Sequence, residues 1–277
     1  MGEETLMVEE LHYCSTNTYL ISGTEGLLLF DTGWAGTFRA FCREMGRIEI
    51  PVQKISCVLI SHFHPDHCGI VQEIADCGPE IVVVDVQMES IHAADAILMR
   101  EPEKGFHPID DQRVRVIDLA GSRTFLKELG IDGEILATPG HSNDSISLCL
   151  DDGSFFVGDL NPLYELEMHR GTRIGESWDR LLALHPKTIY YGHARTANLK
   201  KLPIEQDVRK CETSDIGYEY ALVRSIMKYT DKGYSAAQIQ KKTGATAEWI
   251  NDSMRMYLTH KEISVQGILD RMEIRNR

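Results

Sequence analysis

The sequence predicts an α+β fold of four layers, in the order αββα, followed by a small helical domain. Strands come in two runs, at residues 18–85 and 134–191, and helices accompany each run. This arrangement is typical of two sheets packed face to face with helices outside. No G-x-G-x-x-G motif follows the first strand, so a dinucleotide-binding sheet is not indicated. After residue 208, helical spacing continues without a pattern of catalytic residues, which predicts a separate appendage.

The first run of strands begins with a hairpin. Apolar residues predict strands at 18–21 and 26–30, and Gly23 lies in the turn between them. Residues 101–111 are predicted to form a loop. The other predicted elements of this run are a helix at 37–47, a buried strand at 55–61, a helix at 69–76, a strand at 80–85 and a helix at 88–99.

The second run leads into the appendage. In residues 209–277, Ser235 and Gln238 form a capping box, which predicts the start of a helix. The sequence therefore divides into a catalytic domain at 1–208 and a helical domain at 209–277. The elements predicted for the second run are a helix at 122–129, strands at 134–137, 145–150 and 154–157, a helix at 176–184 and a strand at 188–191. Those predicted for the appendage are helices at 215–232, 235–243 and 246–260 and a hairpin at 263–274.

The composition is that of a globular protein, and its charge disfavours a polyanionic partner. Of the 277 residues, 43% are hydrophobic and 26% are charged, which permits a sizeable core. The net charge is −13, of which residues 1–208 carry −16 and residues 209–277 carry +3. Affinity for nucleic acid depends on neutralising phosphates with Lys and Arg, so this balance argues against it.

The sequence also predicts a cytoplasmic protein without a membrane partner. No apolar stretch approaches the ~18 residues that span a bilayer. The N-terminus lacks a basic segment followed by an apolar one, which an export signal requires. The seven cysteines are scattered and form no C-x-x-C pair, so they are interpreted as reduced thiols.

The strongest functional signal is the run His62-Phe63-His64-Pro65-Asp66-His67, directly after a buried strand. Two histidines one residue apart on an extended segment project to the same side and can chelate one ion. Asp66 and His67 follow a turn enforced by Pro65 and can face a second ion. Such a run arises by chance in roughly one chain in a thousand of this length and composition.

Further metal-ligating residue types follow the ends of later strands. His141 comes after a strand and a tight turn, Asp159 follows Gly158, and His193 follows Gly192. Because loops at one edge of a rigid sheet hold a site best, we expect these side chains to converge with the first cluster. The predicted metal ligands are His62, His64, Asp66, His67, His141, Asp159 and His193.

In this order the motifs resemble the five ordered motifs of the metallo-β-lactamase fold hydrolases, with Asp31 of Asp31-Thr32-Gly33 in the first motif. The similarity covers about residues 10 to 200 and includes the connecting passages 145–148 and 156–159. It implies the four-layer αββα sandwich of that superfamily. Residues 209–277 resemble the small winged-helix-like domain that some members carry, including one subgroup with RNase activity.

The resemblance also implies a role for each ligand, and two divalent metal ions as cofactors. Asp31 would orient a ligand from behind, as such sites commonly require. Imidazole and carboxylate ligands suit Zn²⁺ best, while Mn²⁺ and Fe²⁺ accept the same set. The ligands divide into a first metal position (His62, His64, His141), a second metal position (Asp66, His67, His193) and a bridge between them (Asp159).

The chemistry expected of such a centre is hydrolysis. Two divalent ions ~3.5–4 Å apart share a water and lower its pKa toward ~7, which gives a bridging hydroxide at neutral pH. That hydroxide would attack an electrophilic carbonyl or phosphorus. The predicted catalytic residues are Asp159, as the bridge, and Asp66, which is placed to pass a proton to the leaving group.

Three activities of the superfamily are disfavoured by individual residues. The β-lactamases have Cys or no ligand where this chain has Asp159, and they act after export. The acyl-homoserine lactonases place a Tyr three residues after the bridging Asp, where this chain has Pro162. The flavodiiron proteins have a Glu in the first cluster, where this chain has His64, so redox use is not expected.

Two classes of function remain. A glyoxalase-II-like hydrolase of a small-molecule ester, thioester or lactone is favoured by the acidic catalytic domain and the complete ligand set. A phosphodiesterase or RNase is favoured by the resemblance of the C-terminal domain. Arg170 and Arg173, in the loop after Asp159, are candidates for holding a substrate carboxylate or phosphate. Residues 209–277 are expected to pack on the catalytic domain or to form part of a homodimer contact.

Overall fold

The first sheet has six strands in the order β1-β2-β3-β4-β5-β6, which is also their order along the chain. Strands β1 to β3 pair antiparallel and β3 to β6 pair parallel. Parallel strands are covered on both faces, which explains why Ile81–Val84 is apolar at every position and fully buried. The strands are β1 (Met7–Leu11), β2 (Thr18–Ser22), β3 (Leu27–Phe30), β4 (Ile55–Leu59), β5 (Glu80–Val84) and β6 (Val114–Ile117).

The second sheet has five strands in the order β11-β10-β9-β8-β7. Strands β9 and β10 pair parallel, and the other neighbours pair antiparallel. The strands are β7 (Gly133–Ala137), β8 (Ile146–Leu150), β9 (Ser154–Phe156), β10 (Thr188–Tyr190) and β11 (Ala197–Asn198).

The two sheets pack against each other, and helices cover their outer faces. Leu28 and Phe30 of β3 point into a cluster shared with Leu148 of β8, whereas Leu29 points to the opposite side. Phe41, in the first helix, packs on that opposite side. The predicted αββα sandwich is therefore confirmed. Its α-helices in the described residues are α1 (Phe38–Arg47), α2 (Pro65–Cys68), α3 (Val71–Ala75), α4 (Asp95–Leu98), α5 (Ser122–Glu128) and α6 (Arg173–Ala183).

This computed structural model describes residues 7–199 and 215–259, together with residues 265 and 268. The chain divides into two units, residues 1–202 and 203–277. The predicted boundary between residues 208 and 209 lies outside the described residues, so that boundary stays a prediction.

Sequence patterns missed three strands, β1, β6 and β11, which are short or interrupted by charged residues. Strand β1 contains Glu9-Glu10, β6 contains the half-buried Arg115, and β11 has only two residues. The predicted helix at 88–99 is wrong for most of its length, because the segment forms a 3-10 turn at Asp85–Ser90 and only the short helix α4. Only part of its apolar spacing faces the core: Ile91, Ala94 and Leu98 are buried there, whereas Met88 and Ile97 are 43% and 48% exposed.

The second unit contains three helices in its described residues: α7 (Asp215–Asp231), α8 (Ala236–Thr243) and α9 (Ala247–Thr259). They match the predicted helices within one residue at each end, and the predicted capping box of Ser235 and Gln238 begins α8. Val265 and Ile268 are helical, so the hairpin prediction is wrong at these two residues; the rest of residues 263–274 lies outside the described residues. The winged-helix character of this unit stays a prediction.

Apolar side chains of the second unit bury one another. Val223, Ile226 and Ile239 are fully buried in clusters formed by residues of this unit. Their abundance therefore does not by itself require docking on another surface, although docking stays a prediction. No helix among the described residues has the length and apolarity needed to cross a bilayer.

A histidine outside the candidate site ties α4 to a later turn. His92 Nδ1 lies 2.8 Å from Asp95 Oδ2, and its Nε2 lies 2.9 Å from Asp111 Oδ1. The hydrogen bond to Asp111, followed by the one to Asp95, raises the pKa of His92 above its usual value. A raised pKa in the folded state stabilises the fold fully below the unfolded pKa of ~6.5, and this stabilisation is lost as the pH rises through the folded pKa.

We expect His92→Gln to lower the free energy of unfolding more at pH 6 than at pH 8.5. The expected difference is less than about 1 kcal/mol, because the imidazole is 45% exposed and solvent screens both contacts. Denaturant unfolding of the wild type and the variant across this pH range measures it. A difference that does not change with pH would contradict the assignment.

Candidate metal centre

All seven predicted ligands lie at one edge of the sandwich, in segments that follow strands. The segment after β4 carries four of them, His62 and His64 in its loop and Asp66 and His67 in the short helix α2, and the loops after β7, β9 and β10 carry one each. The side chains form two groups, and within each group the candidate ligand atoms lie within 4.8 Å of one another. The first group is His62, His64 and His141; the second is Asp66, His67, Asp159 and His193.

The first group is a compact set of three imidazoles. His64 Nδ1 and His141 Nε2 are 3.0 Å apart. The ring of His62 lies 4.4 Å from the ring of His64 and 4.8 Å from that of His141, measured between centroids. Three imidazole nitrogens that converge in this way form the ligand set of a tetrahedral or five-coordinate divalent ion with open positions.

The second group combines imidazoles with carboxylates, and Asp159 reaches both groups. His193 Nε2 lies 2.8 Å from Asp66 Oδ2, and His67 Nε2 lies 3.2 Å from Asp159 Oδ1. The other carboxylate oxygen of Asp159, Oδ2, lies 3.5 Å from His193 Nε2 and also 3.5 Å from His141 Nε2. One carboxylate therefore spans the space between the two groups, as a bridging ligand requires.

The residues fit a metal because several ligand atoms are buried without another partner. His62 Nε2, His67 Nε2 and Asp159 Oδ1 are buried and accept or donate no hydrogen bond among the described residues. Buried polar atoms are rarely left without a hydrogen-bond partner. Several such acceptor atoms that face one another indicate a site for a cation. The donor set of imidazole and carboxylate suits Zn²⁺, Mn²⁺ or Fe²⁺.

Hydrogen bonds behind the imidazoles direct the ligand nitrogens. His67 Nδ1 lies 2.9 Å from Asp31 Oδ2, and His193 Nδ1 lies 3.1 Å from the carbonyl oxygen of Ser15. A carboxylate and a carbonyl only accept, so each Nδ1 carries the proton and each Nε2 is left with its lone pair toward the centre. His62 Nδ1 has Ser61 Oγ at 3.0 Å, which gives the same orientation.

Asp31 lies at the middle of this supporting network. Its carboxylate accepts from the backbone N–H of Ser61 at 2.6 Å and from Ser61 Oγ at 2.8 Å, in addition to His67. Asp31 is 1% exposed, and its backbone φ is +63°, a region that Asp tolerates better than most residues. The side chain therefore supports the second group without lining it.

The protein environment gives the two groups different protonation in the absence of metal. Burial, followed by the charge of His67, lowers the pKa of His62, and burial lowers the pKa of His141. Burial alone would also lower the pKa of His67, but Asp31 and Asp159 raise it above the usual value. His62 and His141 are therefore neutral near pH 7 without a metal, while an ion that enters the second group displaces a proton from His67.

Two glycines allow the loops to approach this closely. A Cβ on Gly192 would lie 2.4 Å from Asp159 Oδ1 and 2.8 Å from His67 Cε1, and a Cβ on Gly158 would lie 2.5 Å from Ser61 Oγ. Gly158 also has φ +54°. A side chain at Gly192 would displace the ligands Asp159 and His67, and one at Gly158 would displace Ser61, so both glycines follow from the packing of the centre.

Comparison with known proteins now identifies the family. The sequence profile of the Metallo-beta-lactamase superfamily matches residues 13–193. The chain belongs to this superfamily. This family and the His/Asp metal-binding site are those that the motifs predicted.

Curated relatives are similar over part of their length. A "Beta-lactamase-like protein 2 homolog" of Drosophila melanogaster is 26% identical over 71% of this chain, and the match spans 62% of that protein. An "Atrochrysone carboxyl ACP thioesterase" of Aspergillus fumigatus is 30% identical over 52% of this chain, and the match spans 29% of that protein.

Two solved structures share the fold. A metallo-β-lactamase family protein from Thermus thermophilus superposes with a TM-score of 0.52 at 17% identity, covering 97% of this chain and 93% of that one. A protein crystallised in a di-iron-bound form superposes with a TM-score of 0.53 at 22% identity, covering 70% of this chain and 95% of that one.

The loop after Asp159 is positioned beside the first group. Arg173, the first residue of α6, donates from Nη1 to Asn143 Oδ1 at 2.6 Å, and Asn143 lies two residues after His141. Ser177, one turn further along α6, donates to the carbonyl of Pro139 at 2.8 Å. Arg170, the other predicted cation, is exposed and has an interaction of its own.

Sequence reasoning missed several polar residues that support the centre. Ser61, Gln87 and Asp144 are buried and hydrogen-bonded to the ligand loops, and Asn17 and Tyr19 hold the loop of His193. Their roles depend on partners far away in the sequence. No local spacing distinguishes them from other polar residues near strand ends.

We expect the purified protein to bind two metal ions per chain. Seven ligands in two groups exceed the three or four that one tetrahedral ion requires. Elemental analysis after gentle purification, repeated after dialysis against Zn²⁺, measures the stoichiometry. A reproducible value of one or less would contradict the dinuclear arrangement.

Proposed function

We propose that this protein hydrolyses a small-molecule ester, thioester or lactone, with a thioester as the first candidate. The observation that carries the proposal is the pair of ligand groups joined by one carboxylate, Asp159. Two divalent ions held there, with Zn²⁺ as the best fit to the ligands, would supply hydroxide at neutral pH and polarise a carbonyl oxygen. The fold of the protein solved in a di-iron-bound form supports two ions in such a frame.

Two carboxylates have distinct tasks in this proposal. Asp159 holds the two groups at a fixed separation. Asp66 Oδ2 lies 2.8 Å from His193 Nε2, and the Asp66 side chain is 19% exposed, so it faces both the centre and the solvent. It is the side chain placed to take a proton from the attacking water and pass it to the leaving group. A thiolate leaves with little need for that proton, because thiols ionise near pH ~8.5.

The choice of a thioester is supported by the relatives and by charge. Two of the curated relatives are named as thioesterases of an acyl carrier protein substrate. Residues 1–208, which contain the whole centre, carry a net charge of −16. A polyanion such as RNA would be repelled by this charge, whereas a small acyl compound would not.

The substrate is expected to carry an anionic group that contacts Arg173. Arg173 is the exposed first residue of α6. Its guanidinium donates a hydrogen bond to Asn143, which lies two residues after His141. Arg173→Ala should raise KM for a thioester with a carboxylate by about tenfold, the effect of losing one charged hydrogen bond, while kcat changes little. Steady-state kinetics with charged and neutral thioesters measures this.

Arg180 offers a matched control for Arg173. It is also an exposed arginine of α6, and it contacts Ser177 rather than the ligand loop. Arg180→Ala should leave KM unchanged for both thioesters. An equal effect of the two substitutions, or an equal effect of Arg173→Ala on charged and neutral thioesters, would contradict the specific contact.

The proposed function is tested by assaying the metal-loaded protein against acyl thioesters, esters, lactones, phosphodiesters and single-stranded RNA under one set of conditions. The expected result is turnover of a thioester that is abolished by chelation and restored by Zn²⁺ or Mn²⁺. Turnover of RNA without turnover of any acyl substrate would overturn the proposal. A submicromolar dissociation constant for RNA near ~150 mM salt would also count against the proposal and favour the RNase alternative.

A further inference from the structure

The metal centre lies across the gap between the two sheets. The segment with His62, His64, Asp66 and His67 extends from the first sheet, and the loops with His141, Asp159 and His193 extend from the second. The sheets are joined through apolar side chains, which fix spacing only loosely because apolar contacts are not directional. Ligand geometry within a few tenths of an ångström requires directional contacts between these loops.

One set of such contacts joins the loops of the three-histidine group. The backbone N–H of Phe63, between His62 and His64, donates to Asp144 Oδ2 at 2.7 Å. Asp144 is 6% exposed and lies three residues after His141, in a turn closed by a 2.7 Å contact between the hydroxyls of Ser142 and Ser145. The carboxylate therefore fixes the chelating pair relative to the third imidazole.

Gln87 completes this first clamp from the end of β5. Its Nε2 donates to the carbonyl oxygens of Ile60 and Ser61, at 3.0 and 3.3 Å, and to that of Asp144, at 3.1 Å. Its Oε1 accepts from the N–H of Val84 at 3.3 Å. Gln87 is fully buried, so these hydrogen bonds are not in competition with water. One carboxamide thus holds the chain just before His62 to the chain just after His141.

A separate set of contacts holds the loop of His193. Tyr19 Oη and Asn17 Nδ2 both donate to the carbonyl of Tyr191, at 2.8 and 3.0 Å. Asn17 Nδ2 also donates to the carbonyl of Ala194 at 3.0 Å, and the Asn17 N–H donates to Gly192 O at 2.7 Å. These contacts hold the residues directly before and directly after His193. They connect the His193 loop to the first sheet, from which the segment with Asp66 and His67 extends.

We propose that these are two independent inter-sheet clamps, each of which sets the metal affinity of one group. Asp144 and Gln87 are positioning residues for the group of His62, His64 and His141. Asn17 and Tyr19 are positioning residues for the group that contains His193. No hydrogen bond described for one clamp reaches the loop held by the other. The inference rests on the two metal positions of the proposed function and does not depend on its substrate.

The test uses single-site backgrounds, in which one ligand of the other group is removed. His193→Ala weakens the second position and leaves the three-histidine group intact, whereas His64→Ala does the reverse. Each background then receives Asp144→Ala or Tyr19→Phe, and Zn²⁺ affinity is measured by competition with a chromophoric chelator. Gln87→Leu, which keeps the volume but no donor, serves as a second variant of the first clamp. Circular dichroism and melting temperature of the metal-free proteins report on folding.

The expected result is a crossed pattern. Asp144→Ala and Gln87→Leu should weaken Zn²⁺ binding by about tenfold or more in the His193→Ala background and by less than about twofold in the His64→Ala background. Tyr19→Phe should show the opposite preference. Equal weakening in both backgrounds, no weakening in either, or a background that no longer binds Zn²⁺ would overturn independent clamps. Wild-type protein that binds no metal would instead overturn the proposed function.

Discussion

Asp159→Ala is expected to lower kcat/KM by about a thousandfold or more, equivalent to ~4 kcal/mol of transition-state stabilisation. The physical reason is that the Asp159 carboxylate lies within contact distance of both groups, with Oδ1 3.2 Å from His67 Nε2 and Oδ2 3.5 Å from His141 Nε2. Without it, the two positions are no longer held at a fixed separation. Steady-state kinetics of the metal-loaded variant on the substrate found in the panel measures the loss.

The fold of the Asp159→Ala variant should remain intact. The side chain is 13% exposed, and its contacts are to other ligands rather than to the core, so the metal-free melting temperature should change little. Asp179→Ala, which removes an exposed carboxylate on α6, is the matched control and should leave turnover unchanged. A variant that retains more than about a tenth of wild-type turnover would show that Asp159 does not bridge.

Asp31→Asn is expected to lower the affinity of the second metal position by about 10- to 100-fold, and turnover with it. The carboxylate accepts the Nδ1 proton of His67 at 2.9 Å and accepts from Ser61 N–H and Oγ. If the carboxamide oxygen of the substituted side chain continues to accept the hydrogen bond from the Ser61 N–H, the NH₂ group of the same carboxamide faces His67 Nδ1. The imidazole proton then moves to Nε2, the atom that must bind the ion. Asn tolerates the left-handed backbone of Asp31, so the chain itself need not move.

Two measurements distinguish this tautomer effect from general damage. The ¹⁵N chemical shifts of the His67 ring report directly which nitrogen is protonated in the metal-free protein. Ser61→Ala removes the hydroxyl contacts of Asp31 and of His62 Nδ1 but leaves the Asp31–His67 hydrogen bond, so it should lower the affinity of the second metal position much less than Asp31→Asn does. An Asp31→Asn variant that retains two ions and full turnover would contradict the role of the carboxylate.

The candidate ligands were predictable from sequence because their signal is local. His62, His64, Asp66 and His67 lie in six consecutive residues, and their spacing alone indicates chelation. His141, Asp159 and His193 follow strands whose apolar residues identify them as strands. A metal chelate made by neighbouring residues, and a strand made by apolar residues, both depend on chemistry that a short stretch of chain contains.

Other features of the fold were decided by tertiary contacts. The apolar spacing of residues 88–99 predicted a long helix, yet the described structure has a 3-10 turn and one short helix there. Gln87, at the start of this segment, directs its side chain into the core to bind three carbonyl oxygens. These contacts are made to residues 26 to 57 positions away along the chain, so the spacing within residues 88–99 contains no trace of them.

The sequence by itself determined which residues are candidate metal ligands and that two sheets carry them. Tertiary structure alone decided how these residues are held. Asp144 and Phe63 are 81 residues apart, and Asn17 and Tyr191 are 174 apart. The tautomers of His67 and His193 likewise depend on Asp31 and on the carbonyl of Ser15. A buried hydrogen bond is a property of two atoms that meet only after the sheets have packed, so no local pattern of residues encodes it.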